Sequence, residues 1–299
     1  MTPQSILDRK TKVLNQSTRE KYFEDGYLLL PDFIENDWIT RLKKAMQKFI
    51  VRSASMKLSD SIFDLEPSHS NLNPRLRRVT QPVDQDPIFW KFAQKSIIAD
   101  VAEDLLGPNI IFHHSKLNFK WYSGGEEVKW HQDLPFWPHT NDSVLTIGVY
   151  LEDVNDIMGP LGVIPQSHKG PIFDHYDENN NWVGALSVSE YKKINLDKVE
   201  YLPGKAGSIT IHHCRTIHGS KPNIHTSLPR PLLLYAFSSA DTLPMTYNPT
   251  PSDYNGKLIR GNKAEYVHME KYTGKLPPDW SGGYSSIFAS QQNEDSKSI

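Results

Sequence analysis

One cysteine, Cys214, stands among 299 residues. An internal disulfide is therefore excluded, and a reducing compartment is expected. No apolar run approaches the length that spans a bilayer. The first twenty residues, MTPQSILDRKTKVLNQSTRE, hold no signal-like apolar core. An excess of either charge is also lacking: 33 Lys+Arg face 35 Asp+Glu, a formal net charge of −2. Nucleic acid and anionic membrane are thus not expected as partners. Internal repeats and long low-complexity linkers are absent. What remains is the expectation of a soluble, cytoplasmic, globular protein.

The texture of the chain changes once. Up to about residue 107 it reads as helical with one strand. A short apolar run, Tyr27 to Leu30, ends at Pro31. Apolar residues at Trp38, Ile39, Leu42, Met46, Phe49 and Ile50 then follow helical spacing, and PIFWKFAQKSIIADVAEDLLG reads as a second helix closed by Gly107. From Pro108 to about 240, short β-rich runs alternate with turn residues: NIIFHHSKLNFKWY, SVLTIGVYLEDV, GPLGVIP, AGSITIHH and PLLLYAFSS. No long helices separate them, which predicts a sandwich or barrel rather than βαβ units. We expect a single domain over residues 1–299: a helical layer (1–107), a β core (108–240), a loop or lid elaboration (241–289) and a disordered polar tail (290–299).

A histidine two residues before an acid occurs three times, at His131/Asp133, His175/Asp177 and His268/Glu270. A chain with 12 His and 35 Asp+Glu has about one or two such pairs by chance, so spacing alone decides nothing. The pair at 175 lies in a polar loop and is expected to be solvated. The pair at 268 reads as a short helix, where i and i+2 diverge. Only the pair at 131 sits in β-rich sequence, WHQDLPFW, where i and i+2 of a strand share a face. Gln132 between them should face the other way. A third ligand can come from AGSITIHHCRTIHGSKPN, with His218 as the candidate. Two histidines and one carboxylate with open positions suit non-haem Fe(II), and zinc fits the same donors. Polar surface roles for His212, His213 and His218 are the plainer alternative. Arg230 enters an apolar run, PLLLYAFSS, and a buried arginine needs an anionic partner, a protein acid or a carboxylate cosubstrate.

Taken in order, WHQD, GPLGVIPQSHKG, AGSITIHH with IHGSKPN, and an arginine before an apolar strand resemble the phytanoyl-CoA dioxygenase family over about residues 18–240. YFEDGYLLLPDFI is similar to that family's entry segment. The resemblance implies a mostly β fold with helices, a double-stranded β-helix (jelly-roll) core under an N-terminal helical layer. It implies an Fe(II)- and 2-oxoglutarate-dependent dioxygenase that consumes O2 and releases succinate and CO2. It carries iron ligation to His131, Asp133 and His218, and cosubstrate binding to Arg230, Ser220 and Arg78. Because Asp133 is present, it implies hydroxylation rather than halogenation.

The substrate is the least legible part. Phe136 and Trp137, just past the aspartate, are expected to wall the pocket, with Lys116 and Lys120 as nearby cations. An aromatic wall suits an apolar chain or an ammonium group; the cations suit an anion. A small polar or zwitterionic metabolite, amino-acid-like or phosphonate-like, meets both expectations. A fatty acyl-CoA hydroxylase, a cupin-like binding protein without turnover and a zinc hydrolase are the alternatives. The Pro/Asn/Gly-rich stretch after residue 240 is expected to be a lid or a homodimer contact.

Overall fold

The computed structural model describes residues 1–123, 125–284 and 286–292. Twelve strands form two antiparallel sheets. They are β1 (Tyr27–Leu30), β2 (Phe63–Leu65), β3 (Leu76–Thr80), β4 (Ile110–Asn118), β5 (Val128–His131), β6 (Val144–Tyr150), β7 (Leu161–Val163), β8 (Glu200–Leu202), β9 (Ile209–His213), β10 (His218–Ser220), β11 (Leu232–Ser239) and β12 (Leu258–Arg260). The larger sheet runs β1-β9-β6-β11-β4-β3-β2, with β12 added at β4; the smaller runs β5-β10-β7-β8. The two sheets face each other as a jelly roll.

The alternation of the large sheet places its two faces in different surroundings. Ile209 and Ile211 of β9, Ile147 of β6, Leu233, Tyr235 and Phe237 of β11, and Phe112 and Leu117 of β4 point outward into one core. The helices Asn36–Ser53, Pro87–Lys95 and Ile98–Leu106 cover that face with Leu42, Met46, Phe49, Phe89, Phe92 and Leu105. Fully burying such side chains stabilises by about 1.5–3 kcal/mol each. The opposite face carries Thr146, Thr210, His212, Lys116 and Asn118. It lines the interior of the roll, where Thr146 and His212 bond Asp133.

Four expectations change in detail. The second helix is two helices, because Ser96 adopts an extended backbone (φ −88°, ψ 171°) between them. The first third holds three strands rather than one. β2 and β3 were hidden by charge: RLRRVT is a strand because Asp64, Glu66 and Glu126 neutralise Arg77 and Arg75. The stretch after 240 contributes β12, which pairs with β4. The polar tail starts later than residue 290, since Ile287–Gln292 is a helix and Gln291 bonds Lys129 and Gly184; residues 293–299 lie outside the described residues. No helix among the described residues is long and apolar enough to cross a membrane.

Candidate metal centre

β10 lies between β5 and β7, and its register sets the site. His218 pairs directly with His131 across the β5–β10 ladder, so the two imidazoles stand 4.1 Å apart by ring centroid. Gly219 permits this packing: a Cβ there would lie 2.9 Å from the Val128 carbonyl oxygen and 3.2 Å from the Trp130 ring. Asp133 arrives differently from the strand argument. β5 ends at His131, and Asp133 has a helical backbone (φ −73°, ψ −38°) that opens the turn Leu134–Phe136. Convergence of His131 and Asp133 therefore comes from a chain reversal and not from strand alternation. One donor atom from each of His131, Asp133 and His218 lies within 4.8 Å of the others, and all three residues are buried.

The donor atoms are oriented for a cation. His131 Nδ1 donates to the Lys129 carbonyl at 2.8 Å, and His218 Nδ1 donates to the Thr216 carbonyl at 2.9 Å. Each ring thus presents the lone pair of Nε2, the usual arrangement behind a metal-bound histidine. Asp133 Oδ2 accepts from Thr146 Oγ1 at 3.0 Å and from His212 Nε2 at 3.2 Å. Its Oδ1 faces the other two rings, 3.8 Å from His218 Nε2 and 4.0 Å from His131 Nε2. Burial pushes the His131 imidazole down to about 4 and His218 well below its usual value. Burial alone would raise Asp133, but His218, the hydrogen bond from His212 and Lys116 hold it well below the usual carboxylate range. Two neutral imidazoles and one ionised carboxylate are the protonation states that a divalent metal requires.

A cavity opens from this triad toward Arg230. Ser220, Asn118, Thr146, Leu232 and Leu234 also line it. Arg230 is buried, and its Nε and Nη1 have no hydrogen-bond partner. Burial pushes its guanidinium down to about 10. No protein carboxylate among the described residues forms an ion pair with it, so two of its buried N–H groups face the cavity without an acceptor.

The other expected residues fall into distinct places. Phe136 and Trp137 wall a second, narrow compartment beside Asp133, together with Arg78, His114, Lys116 and Tyr284. Arg78 lines this compartment, which shares Lys116, Asp133 and Ile287 with the Arg230 cavity. Lys116 borders both cavities. Lys120 borders neither: its Nζ donates to the carbonyls of Ser220 and Lys221, which makes it a strap between strands and not a pocket cation. Gln132 does face away, bonding Pro171, Phe173 and Arg215.

His175 departs from its expected solvated loop. It is buried, and its Nε2 accepts from the Gln132 backbone N–H at 3.0 Å. His268 lies on an exposed segment that is not helical. His212 is the residue that sequence reasoning missed at the site. Its signal was the alternation Thr210–His212, opposite in face to Ile209–Ile211–His213.

Residues 22–231 match the model of the phytanoyl-CoA dioxygenase family. The chain belongs to that family. It is 30% identical over 276 residues to a protein of Stutzerimonas stutzeri named a probable alpha-ketoglutarate-dependent hypophosphite dioxygenase, covering 92% of this chain and 96% of that one. An ectoine dioxygenase of Sphingopyxis alaskensis is also 30% identical, over 69% of this chain and 70% of its own. In fold, the chain is similar to the crystal structure of EctD from S. alaskensis with 2-oxoglutarate and 5-hydroxyectoine, with a TM-score of 0.64, 24% identity and 85% of each chain covered. As a member of this family, the protein is a non-haem iron, 2-oxoglutarate-dependent dioxygenase.

Proposed function

We propose that this dioxygenase hydroxylates a small polar metabolite, with iron held by His131, Asp133 and His218 and the distal carboxylate of 2-oxoglutarate held by Arg230 and Ser220. One observation carries the reading: an unpartnered buried arginine and a His-Asp-His cluster share one cavity. Zinc would suit the three donors equally, but a zinc hydrolase has no use for the buried guanidinium beside them. The hypophosphite and ectoine names of the relatives fit a compact polar substrate, and an amino-acid-like or phosphonate-like compound is our reading for this chain.

Bound iron with 2-oxoglutarate and O2 supplies the oxidising power, converting the oxoacid to succinate and CO2 while one oxygen atom enters the substrate. The protein supplies the rest. His131 and His218 are fixed as Nε2 donors by their carbonyl bonds. His212 and Thr146 fix the carboxylate of Asp133. Arg230 can orient the cosubstrate by a charge-assisted, two-pronged hydrogen bond. The apolar walls Leu232, Leu234 and Ile287 exclude water from around it. The second compartment meets the first at Asp133 and Lys116, and a substrate bound there would lie next to the metal.

The test is turnover. Candidate metabolites are screened for their effect on succinate formation by the Fe(II)-loaded enzyme in air. A compound that raises succinate formation and gains one oxygen supports the reading. Absence of any 2-oxoglutarate consumption by metal-loaded enzyme, with or without these compounds, contradicts it.

A further inference from the structure

The compartment beyond Asp133 has an unusual charge. Arg78 is 1% exposed, and its Nε and Nη2 have no hydrogen-bond partner. The carboxylate nearest in sequence and strand register is Asp64, opposite Arg78 on β2. Asp64 is already held by Arg77 through two bonds, at 3.0 and 2.8 Å, and accepts a further one from Ser286. Arg78 also hydrogen-bonds Tyr284, whose ring centre lies 5.9 Å from the guanidinium carbon, and feels the charge of Asp64, yet its Nε and Nη2 stay without an acceptor.

Lys116 is the second cation. Arg78 pairs with Asn118 across the β3–β4 ladder, and Lys116 lies two residues along β4 on the same face. The two are diagonal neighbours, both turned into the compartment. Lys116 is half-buried and has no ion-pair partner within 4 Å among the described residues. Asp133 is the acid that faces it, and on the proposed reading that carboxylate is given to the metal. Arg230 is matched by the cosubstrate on the same reading. Arg78 then keeps two buried N–H groups without an acceptor, and Lys116 keeps no ion pair, an arrangement that a ligand with negative charge would satisfy.

The two basic side chains argue against a cation. Trp137 is packed by the imidazoles of His113, His114 and His139, at 4.9, 5.7 and 5.7 Å. Phe136 is packed by His131, His175, Trp182 and Tyr284. Both rings are held by these neighbours and line the compartment beside two cations, Arg78 and Lys116, whose charge disfavours an ammonium group there. The compartment is narrow, which suits a compact group rather than a bulky one.

Resting on the function proposed above, we infer that the substrate carries a compact oxyanion head, phosphonate, phosphinate or carboxylate, and that Arg78 and Lys116 bind it. Arg78 offers two free N–H directions to paired oxygens, and Lys116 a point charge on the side nearer the metal.

The experiment uses the full chain loaded anaerobically with Fe(II) and saturating 2-oxoglutarate, so that Arg230 is occupied. Methylphosphonate, acetate and tetramethylammonium are titrated, read by change of the visible charge-transfer band and by tryptophan fluorescence. Methylphosphonate or acetate should saturate the change, the stronger of the two naming the head group, while tetramethylammonium has no effect. Arg78→Met and Lys116→Met should each weaken that anion at least 10-fold while keeping the charge-transfer band; Arg78→Lys should recover part of the loss. The inference is overturned if neither anion perturbs the loaded enzyme, if tetramethylammonium does so instead, or if Arg78→Met weakens 2-oxoglutarate and leaves anion affinity unchanged. A wild-type chain that forms no band contradicts the proposed metal site instead. In that case fluorescence of the metal-free chain still reads the anion site: saturable quenching lost in Lys116→Met supports it, and none overturns it.

Discussion

His212 donates to one carboxylate oxygen of Asp133, 3.2 Å away, and thereby leaves the other oxygen facing His131 and His218. The pair sorts the two oxygens into a fixed one and a free one. His212 is held in turn on β9 by pairing with Thr146 of β6, the other donor to the same oxygen. The carboxylate is thus gripped from two adjacent strands of the large sheet, while the histidines facing it come from the small one.

Replacing that donor should loosen the metal without removing a ligand. His212→Leu is expected to weaken Fe(II) or Co(II) binding about 10–100-fold, the usual effect of losing a partner behind a ligand. One metal per chain should still bind at saturation. Equilibrium competition with a chelator measures it, and unchanged affinity would remove His212 from the account.

Arg230→Met should separate cosubstrate from metal. Metal affinity should stay within a factor of two or three of wild type. Affinity for 2-oxoglutarate should fall by about 2–5 kcal/mol, as for one partner of a buried charge pair. Anaerobic titration of the metal-loaded variant with 2-oxoglutarate reads this. An unchanged dissociation constant would reassign the arginine.

Lys120→Met tests a structural assignment. The variant keeps most of the buried side-chain volume but leaves the Ser220 and Lys221 carbonyls without their donor. The expected cost is about 1–3 kcal/mol of stability per group left unsatisfied, visible as a lower thermal midpoint. A variant as stable as wild type would show that the two carbonyls find other partners.

Acid should unfold the metal-free protein through its buried histidines. Burial pushes His139 and His213 each down to about 4, whereas in the unfolded chain they titrate near about 6.5. The unfolded state therefore takes up protons first as pH falls. Their contribution is complete above about pH 6.5 and is lost progressively toward pH 4, by about 1.4 kcal/mol per pH unit for each histidine. Urea midpoints at pH 7, 6, 5 and 4.5 should fall accordingly, and His139→Gln should flatten the slope. A midpoint independent of pH across this window would contradict the neutral, buried state of these rings.

Local pattern made part of this legible in the sequence. The β texture after residue 108 was readable from neighbours within a few residues, whereas the roles of His131, Asp133, His218 and Arg230 rested on the ordered set of motifs and the family resemblance it carries. What stayed hidden depended on distant partners. RLRRVT is a strand only because acids from β2 and from residue 126 neutralise it. His175 is buried only because the Gln132 N–H, 43 residues earlier, meets it. Lys120 looked like a pocket cation because no local signal shows that two carbonyls a hundred residues away capture its ammonium. Even the pair at 131 was read with the wrong geometry. Spacing placed it on a strand, whereas the structure turns the chain between its two members.

The most direct measurement is the visible absorption of the anaerobic protein on addition of Fe(II) and then 2-oxoglutarate. The account predicts a charge-transfer band that saturates at one iron per chain, is lost in His131→Ala and in His218→Ala, and in Arg230→Met appears only at much higher 2-oxoglutarate. A wild-type protein that gives no band, or a band that survives His131→Ala and His218→Ala, would contradict it.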